Sequence, residues 1–188
     1  MKVLIIEGPD NCGKDTLISN ISSKYNIVKI IHCTTPPKDI DNMLPYQAHK
    51  FEEYINIATH DYESNLEDIL IFNRSHYGEY VYGQLYRNEL SDNIYNMINL
   101  IDWMLYKKIK QEDLCYIQLT GSPRFLCKND DGLSLSENKL YLVEKECELF
   151  SEVFNLSKIE NKHMIYVNSG QEFRSELEIT NECLNYLK

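Results

Sequence analysis

This 188-residue sequence is bounded first by what it lacks. No stretch approaches the run of about 20 apolar residues that a bilayer-spanning helix needs. The opening run Met1-Lys2-Val3-Leu4-Ile5-Ile6 leads into a glycine turn; it is too short for a signal peptide and has no small-residue cleavage site. A soluble, unsecreted, cytoplasmic protein is therefore expected. The six cysteines (Cys12, Cys33, Cys115, Cys127, Cys147, Cys183) form no CxxC pair, which argues against a zinc site or a disulfide framework and for reduced thiols. The five histidines show no metal-ligand spacing either. With no internal repeat, low-complexity tract or Gly/Ser linker, residues 1–188 are expected to form a single domain of ordinary size. Basic residues are scarce: 19 Lys and Arg against 29 Asp and Glu give a formal net charge of −10. That balance predicts no nucleic-acid partner, because non-specific binding needs a basic face. A small phosphorylated ligand needs only a few placed cations.

What is present alternates strand with helix. Val3–Ile6, Ile27–Ile31, Ile69–Phe72, Leu114–Leu119 and Met164–Val167 read as buried strands. Between them, helical spacing of apolar residues predicts helices over Lys14–Tyr25, Gln47–Glu63, Tyr77–Asn88 and Asp92–Gln111. Ser134-x-x-Glu137 and Ser169-x-x-Glu172 read as capping boxes opening two further helices. Five strands alternating with helices predict an α/β domain of three layers, a parallel sheet covered on both faces.

Between the first strand and the first helix lies Gly8-Pro9-Asp10-Asn11-Cys12-Gly13-Lys14-Asp15-Thr16, a GxxxxGK phosphate loop. Its glycines let backbone N–H groups face an anion, the following helix adds its positive end, and Lys14 would reach the terminal phosphates of a nucleoside triphosphate. The nucleotide-binding set is Gly8, Asn11, Cys12, Gly13, Lys14, Asp15 and Thr16. Cys12 reads as a small space-filler in the loop, although its position against a helix N-terminus could also lower its pKa. Where the usual motif has the Ser or Thr that ligates Mg²⁺, this chain has Asp15, and its third strand ends in Asn73 rather than an acid. Either the metal-binding carboxylate has moved from strand end to loop, making Asp15 the metal ligand, or Asp15 caps the helix and Mg²⁺ binds weakly.

Glu7-Gly8-Pro9-Asp10-Asn11-Cys12-Gly13-Lys14-Asp15-Thr16, Asn73-Arg74-Ser75, Tyr82 eight residues past Arg74, and Gly121-Ser122-Pro123-Arg124 together resemble the thymidylate kinase-like P-loop kinases, including phage-encoded deoxynucleoside monophosphate kinases. The resemblance spans nearly the whole chain. It implies a P-loop NTPase fold with strand order 2-3-1-4-5, a lid at about 121–136, ATP as donor, Mg²⁺ as cofactor, dTMP as acceptor and a homodimer through the Asp92–Gln111 helix. If the chain is encoded by a phage, the compartment is the host cytoplasm. Arg74-Ser75-His76-Tyr77, Leu85-Tyr86-Arg87-Asn88 and Asp102-Trp103-Met104 also resemble segments of the deoxynucleoside kinases. Those enzymes activate a 5′-hydroxyl and need a general base. The acids they carry after strand 2 and before Arg-Ser are replaced here by Thr34-Thr35-Pro36-Pro37 and Asn73. A monophosphate, already anionic, needs positioning more than a base, so it is the favoured acceptor. Nucleoside phosphorylation and a nucleotide-binding module with weakened catalysis remain the alternatives.

For individual residues the readings divide. Arg74, at a strand C-terminus where open α/β folds bind ligands, would clamp the acceptor phosphate; otherwise it is a structural ion pair. Asp10 would, by resemblance, accept from the acceptor's 3′-hydroxyl, or else it is a turn residue. Lys14, Arg74 and Arg124 form the catalytic set, with Arg124 the lid cation and Lys128 and Arg87 as other candidates. Phe51, Tyr54, Tyr77, Tyr80 and Tyr82 would line a base pocket, but core packing is the simpler role for every tyrosine except Tyr82. The acceptor-binding set is Asp10, Phe51, Arg74 and Tyr82. Glu79, one turn into the helix after Arg74, would be the nearby base if the acceptor were a nucleoside, but an exposed helix carboxylate is the favoured reading.

Overall fold

A computed structural model describes residues 1–33, 43–87 and 91–188. The Thr34-Thr35-Pro36-Pro37 loop and Asn88 lie outside the described residues. The chain runs β1 (Lys2–Glu7), α1 (Lys14–Ser22), β2 (Val28–His32), α2 (Met43–Ser64), β3 (Ile69–Asn73), α3 (His76–Tyr86), α4 (Ser91–Lys108), β4 (Leu114–Thr120), α5 (Pro123–Lys128), α6 (Leu140–Leu156), β5 (Lys162–Tyr166), β6 (Asn168–Ser169), β7 (Glu172–Phe173) and α7 (Glu176–Tyr186). Strands β1 to β5 form one parallel sheet in the order β2-β3-β1-β4-β5, as expected.

Side chains alternate across each strand, so the two sheet faces bury different halves of the same runs. Val3, Ile5, Leu70, Phe72 and Tyr116 pack with α2, α3, α4 and α6. Leu4, Ile6, Ile69, Ile71, Ile117 and Ile165 pack with α1, α5 and α7. Continuous aliphatic runs are what a parallel strand buried on both faces requires. The order places β1 and β3 side by side, with Ile6 opposite Asn73. The loop after β1 and the turn after β3 therefore open at the same edge, where such sheets bind ligands.

Both expected capping boxes fail. Helix α6 begins only at Leu140, with Lys139 as an N-cap lacking a side-chain hydrogen bond, because Ser134 turns instead to Asp130 and Ser136. Ser169 and Glu172 pair across the β6–β7 hairpin, and the cap of α7 is Ser175 with Glu178. An S-x-x-E spacing suits a tight hairpin as well as a helix start, and backbone pairing with Val167 decides for the hairpin.

Candidate active site

Strand β1 ends by running the chain against β4. Gly8 has φ 143°, and a Cβ there would lie 2.2 Å from the Leu119 carbonyl oxygen, so only glycine fits. Gly13, at φ 77°, turns the loop into α1. Lys14 folds back over this curl and is largely buried; its Nζ donates to the carbonyls of Gly8 at 2.9 Å and Pro9 at 2.6 Å. Cys12 is packed beneath the loop, its thiol donating to the Pro9 carbonyl at 2.9 Å. Burial pushes that thiol's pKa up, so the expected lowering is overturned: removal from water outweighs the pull of Lys14 and Arg74. Gly8 and Cys12 shape the loop, while Asp10, Asn11, Gly13, Lys14, Asp15 and Thr16 line a cleft of about 810 Å³.

Asp15 and Asn73, the two positions whose residue types looked exchanged, are in contact. Asn73 Nδ2 donates to Asp15 Oδ1 at 2.7 Å and sits 3.4 Å from His32 Nδ1. Among the described residues no group of three or more His, Cys, Asp or Glu could hold a metal by itself. A lone carboxylate beside a phosphate cradle nevertheless fits Mg²⁺, which takes one or two protein carboxylates and completes its shell with phosphates and water.

Arg74 turns the chain from β3 into α3 with φ 66°, a left-handed conformation uncommon outside glycine. Two contacts hold it: its own N–H donates to Ile6 at 3.1 Å, and Ser75 caps α3. Buried Glu7 secures the same turn, accepting from Ser75 N (2.6 Å), Ser75 Oγ (2.8 Å) and Gly78 N (3.0 Å). Burial raises the Glu7 pKa against the opposing pull of Arg74, Ser75 and Lys14. Arg74 Nη1 donates to Tyr82 OH at 3.0 Å, its Nη2 donates to Asp10, and Tyr82 OH reaches Asp10 at 3.5 Å. Three residues proposed for the acceptor thus meet as one cluster on the cleft wall, with Phe51 also lining it.

A second cluster lies on that wall, and of its members Gln47 was not foreseen. Glu79 is buried, not exposed; it accepts from Gln47 Nε2 at 3.0 Å and pairs with Arg87. The signal was present, since Gln47 and Phe51 stand one turn apart on α2 and Glu79 one turn into α3. Tyr54, Tyr77 and Tyr80 are absent from the lining. Tyr77 stacks on Tyr116 at 4.4 Å and donates to Asp102, which also bonds His76 at 2.9 Å and accepts from Lys158 N at 2.8 Å. The segments resembling nucleoside kinases around His76 and Asp102 are thus a structural network of the core. Trp103 lies on the outside of α4.

Residues 121–136 include α5 and a turn that contributes Asp131, Leu133, Ser134 and Leu135 to the cleft, with Asn11 against Asp130. Arg124 is not brought there. Helix α5 buries Phe125 and Leu126, which leaves Arg124 and Lys128 on its exposed side. Lys14, Arg74 and Arg87 are the cations among the cleft-lining residues.

A phosphate loop at the carboxyl end of the central strand of a 2-3-1-4-5 parallel sheet defines the fold of the P-loop kinases, and solved structures with this architecture match nearly the whole chain. YorR from Bacillus subtilis, described in complex with phosphorylated GDP, is 20% identical with a TM-score of 0.66, covering 98% of this chain and 94% of its own. Thymidylate kinase from Ehrlichia chaffeensis is 14% identical (TM-score 0.62, coverage 100% and 98%). Thymidylate kinase from Candida albicans is 17% identical (TM-score 0.57, coverage 98% and 89%). No protein-family model and no curated protein sequence matches the chain.

Proposed function

We propose that the protein is a nucleotide kinase that transfers the γ-phosphoryl group of ATP to a deoxynucleoside monophosphate, with dTMP the first acceptor to test. The observation that carries this reading is the Asp10–Arg74–Tyr82 cluster, which joins the phosphate loop to the turn after β3 on the wall of one cleft. In the reaction an oxygen of the acceptor phosphate attacks the γ-phosphorus, the bond from that phosphorus to the β,γ-bridging oxygen breaks, and ADP leaves. Lys14 neutralises charge on the terminal phosphates, and Arg74 holds the acceptor phosphate with its planar fork. Asp10 takes the sugar hydroxyl and Phe51 packs on the base. Arg87, not Arg124, supplies the third cation. Mg²⁺, when bound, would be held by Asp15 and neutralise phosphate charge. Residues 121–136 serve as the lid.

The carboxylates among the described cleft-lining residues argue against a nucleoside acceptor, because each already accepts from a neighbour: Asp10 from Arg74, Asp15 from Asn73, Glu79 from Arg87 and Gln47, and Asp131 from the Leu133 N–H. YorR's complex with a phosphorylated nucleotide and the two thymidylate kinases support the monophosphate reading. Leu100, Trp103 and Tyr106, about half exposed on the outer side of α4, suit the homodimer contact. No helix among the described residues is long and apolar enough to cross a membrane, and the substrates assigned here are those of a cytoplasmic nucleotide pool.

An ADP-release assay with each dNMP and each deoxynucleoside, with and without Mg²⁺, tests the assignment. Turnover of at least one dNMP is expected. Phosphorylation of thymidine but not dTMP would replace the acceptor, and ATP binding without product from any acceptor would leave a nucleotide-binding module.

A further inference from the structure

Behind the acceptor cluster lies a carboxyl group that the proposed chemistry does not use. Glu146 on α6 is 1% exposed and accepts a hydrogen bond from Tyr86 OH at the end of α3. The Tyr86 ring stacks on Tyr82 with centroids 6.1 Å apart, and Tyr82 is held edge-on by Phe150, one turn beyond Glu146 on α6. Tyr82 in turn receives Arg74. A continuous path of side chains therefore joins Glu146 to the groups that would hold the acceptor. The charged and titratable groups acting on Glu146 come from each neighbouring element: Asp10 and Lys14 from the phosphate loop and the start of α1, Arg74 from the turn after β3, Tyr82 and Tyr86 from α3, and Cys147 from α6 itself.

We propose that Glu146 is the positioning residue of the acceptor site: through Tyr86 and Tyr82 it fixes Arg74 and Asp10, and it takes up a proton when a phosphorylated ligand enters. The cause is competition for the same cations. Lys14 and Arg74 offset the negative charge of Glu146; phosphate draws their field away, leaving Glu146 beside the like charge of Asp10, and protonation relieves the repulsion. Burial, opposed by Tyr86, already lifts the Glu146 pKa to about 7, so the proton is exchangeable near neutral pH. Ligand raises that value further. Binding is therefore strengthened at lower pH and weakens as pH rises through the neutral range into the ligand-raised value.

This inference rests on the kinase reading for its acceptor, and the test keeps the two apart. Calorimetric titrations of the intact protein with MgATP and with each of the four dNMPs, at pH 7.5 in two buffers of different ionisation enthalpy, count the protons taken up. Wild type should take up about half a proton more per bound ligand than Glu146→Gln, which keeps the shape of the protonated acid. The ligand's own phosphate titrates equally in both proteins and cancels. Tyr86→Phe, which removes the hydroxyl that lowers the Glu146 pKa, should move the midpoint of the pH profile of acceptor KM upward and, at low pH where Glu146 is protonated in both proteins, raise KM several-fold with little change in kcat. Equal proton uptake in wild type and Glu146→Gln, or an unmoved midpoint in folded Tyr86→Phe, would overturn the proposal. If no dNMP binds or turns over while MgATP shows the difference in uptake, the acceptor assignment falls and proton coupling at Glu146 stands.

Discussion

The phosphate-loop end of the cleft is built of backbone and one lysine, all drawn from Gly8 to Thr16; the end proposed for the acceptor is built of side chains from separate stretches, with Asp10 meeting Arg74 and Tyr82, and Gln47 meeting Glu79 and Arg87. The first end is local and tolerates little change, because Gly8 has no room for a side chain. The second is assembled by strand order and helix packing, which bring side chains far apart in sequence onto one wall. A backbone cradle recognises phosphate in general, while the side-chain wall is free to choose what receives it.

That contrast predicts its own ranking of effects. Gly8→Ala should have the largest: the added methyl collides with the Leu119 carbonyl and opens the loop, so ATP affinity and turnover should fall by more than about 10³-fold. ATP titration and thermal melting measure it, and affinity within threefold of wild type would mean the loop is not the phosphate cradle. Arg74→Lys comes next. Losing the fork that spans Tyr82 and Asp10 should lower kcat/KM for the acceptor by about 10²-fold while ATP binding is kept, in contrast to Gly8→Ala.

Asp15→Ser should have a smaller effect, raising the Mg²⁺ concentration for half-maximal turnover by about tenfold. Full turnover at unchanged Mg²⁺ would reduce Asp15 to a helix-terminal carboxylate held by Asn73. The smallest effect on activity belongs to Asp102, which lies outside the cleft. Burial opposes its charge, but bonds from His76, Lys158 N and Tyr77 prevail and hold its pKa below the usual range. Its stabilisation is therefore complete above about pH 4 and is lost as pH falls through the lowered value. Asp102→Asn should cost about 1–3 kcal/mol at pH 7, flatten the acid limb of a Tm-against-pH curve and leave kcat within about twofold.

The elements were legible because their signals are local. Runs such as Val3–Ile6 and Ile69–Phe72 announce buried strands, and the spacing of Ile94, Met97, Ile98, Ile101 and Leu105 announces the buried face of α4. The two capping boxes misled for the same reason: four residues do not reveal whether the chain beyond them turns into a helix or pairs back as a hairpin. Arg74 and Tyr82 were expected at the cleft by motif position and do line it, whereas Glu79 reads as exposed because the spacing of Gln47 and Phe51 marks a shared face of α2 without showing that this face meets Glu79.

By itself the sequence determined the phosphate loop, the five-strand parallel framework and the oddity of Asp15, since backbone conformation and hydrophobic period depend on neighbours a few residues apart. Tertiary structure alone decided that Asp15 lies against Asn73, that Arg124 faces solvent while Arg87 lines the cleft, and that Glu146 lies buried behind the acceptor groups. Those facts depend on which helices pack together across the end of the sheet, and charge and burial at such a meeting point are properties of the assembled fold rather than of any one stretch of chain.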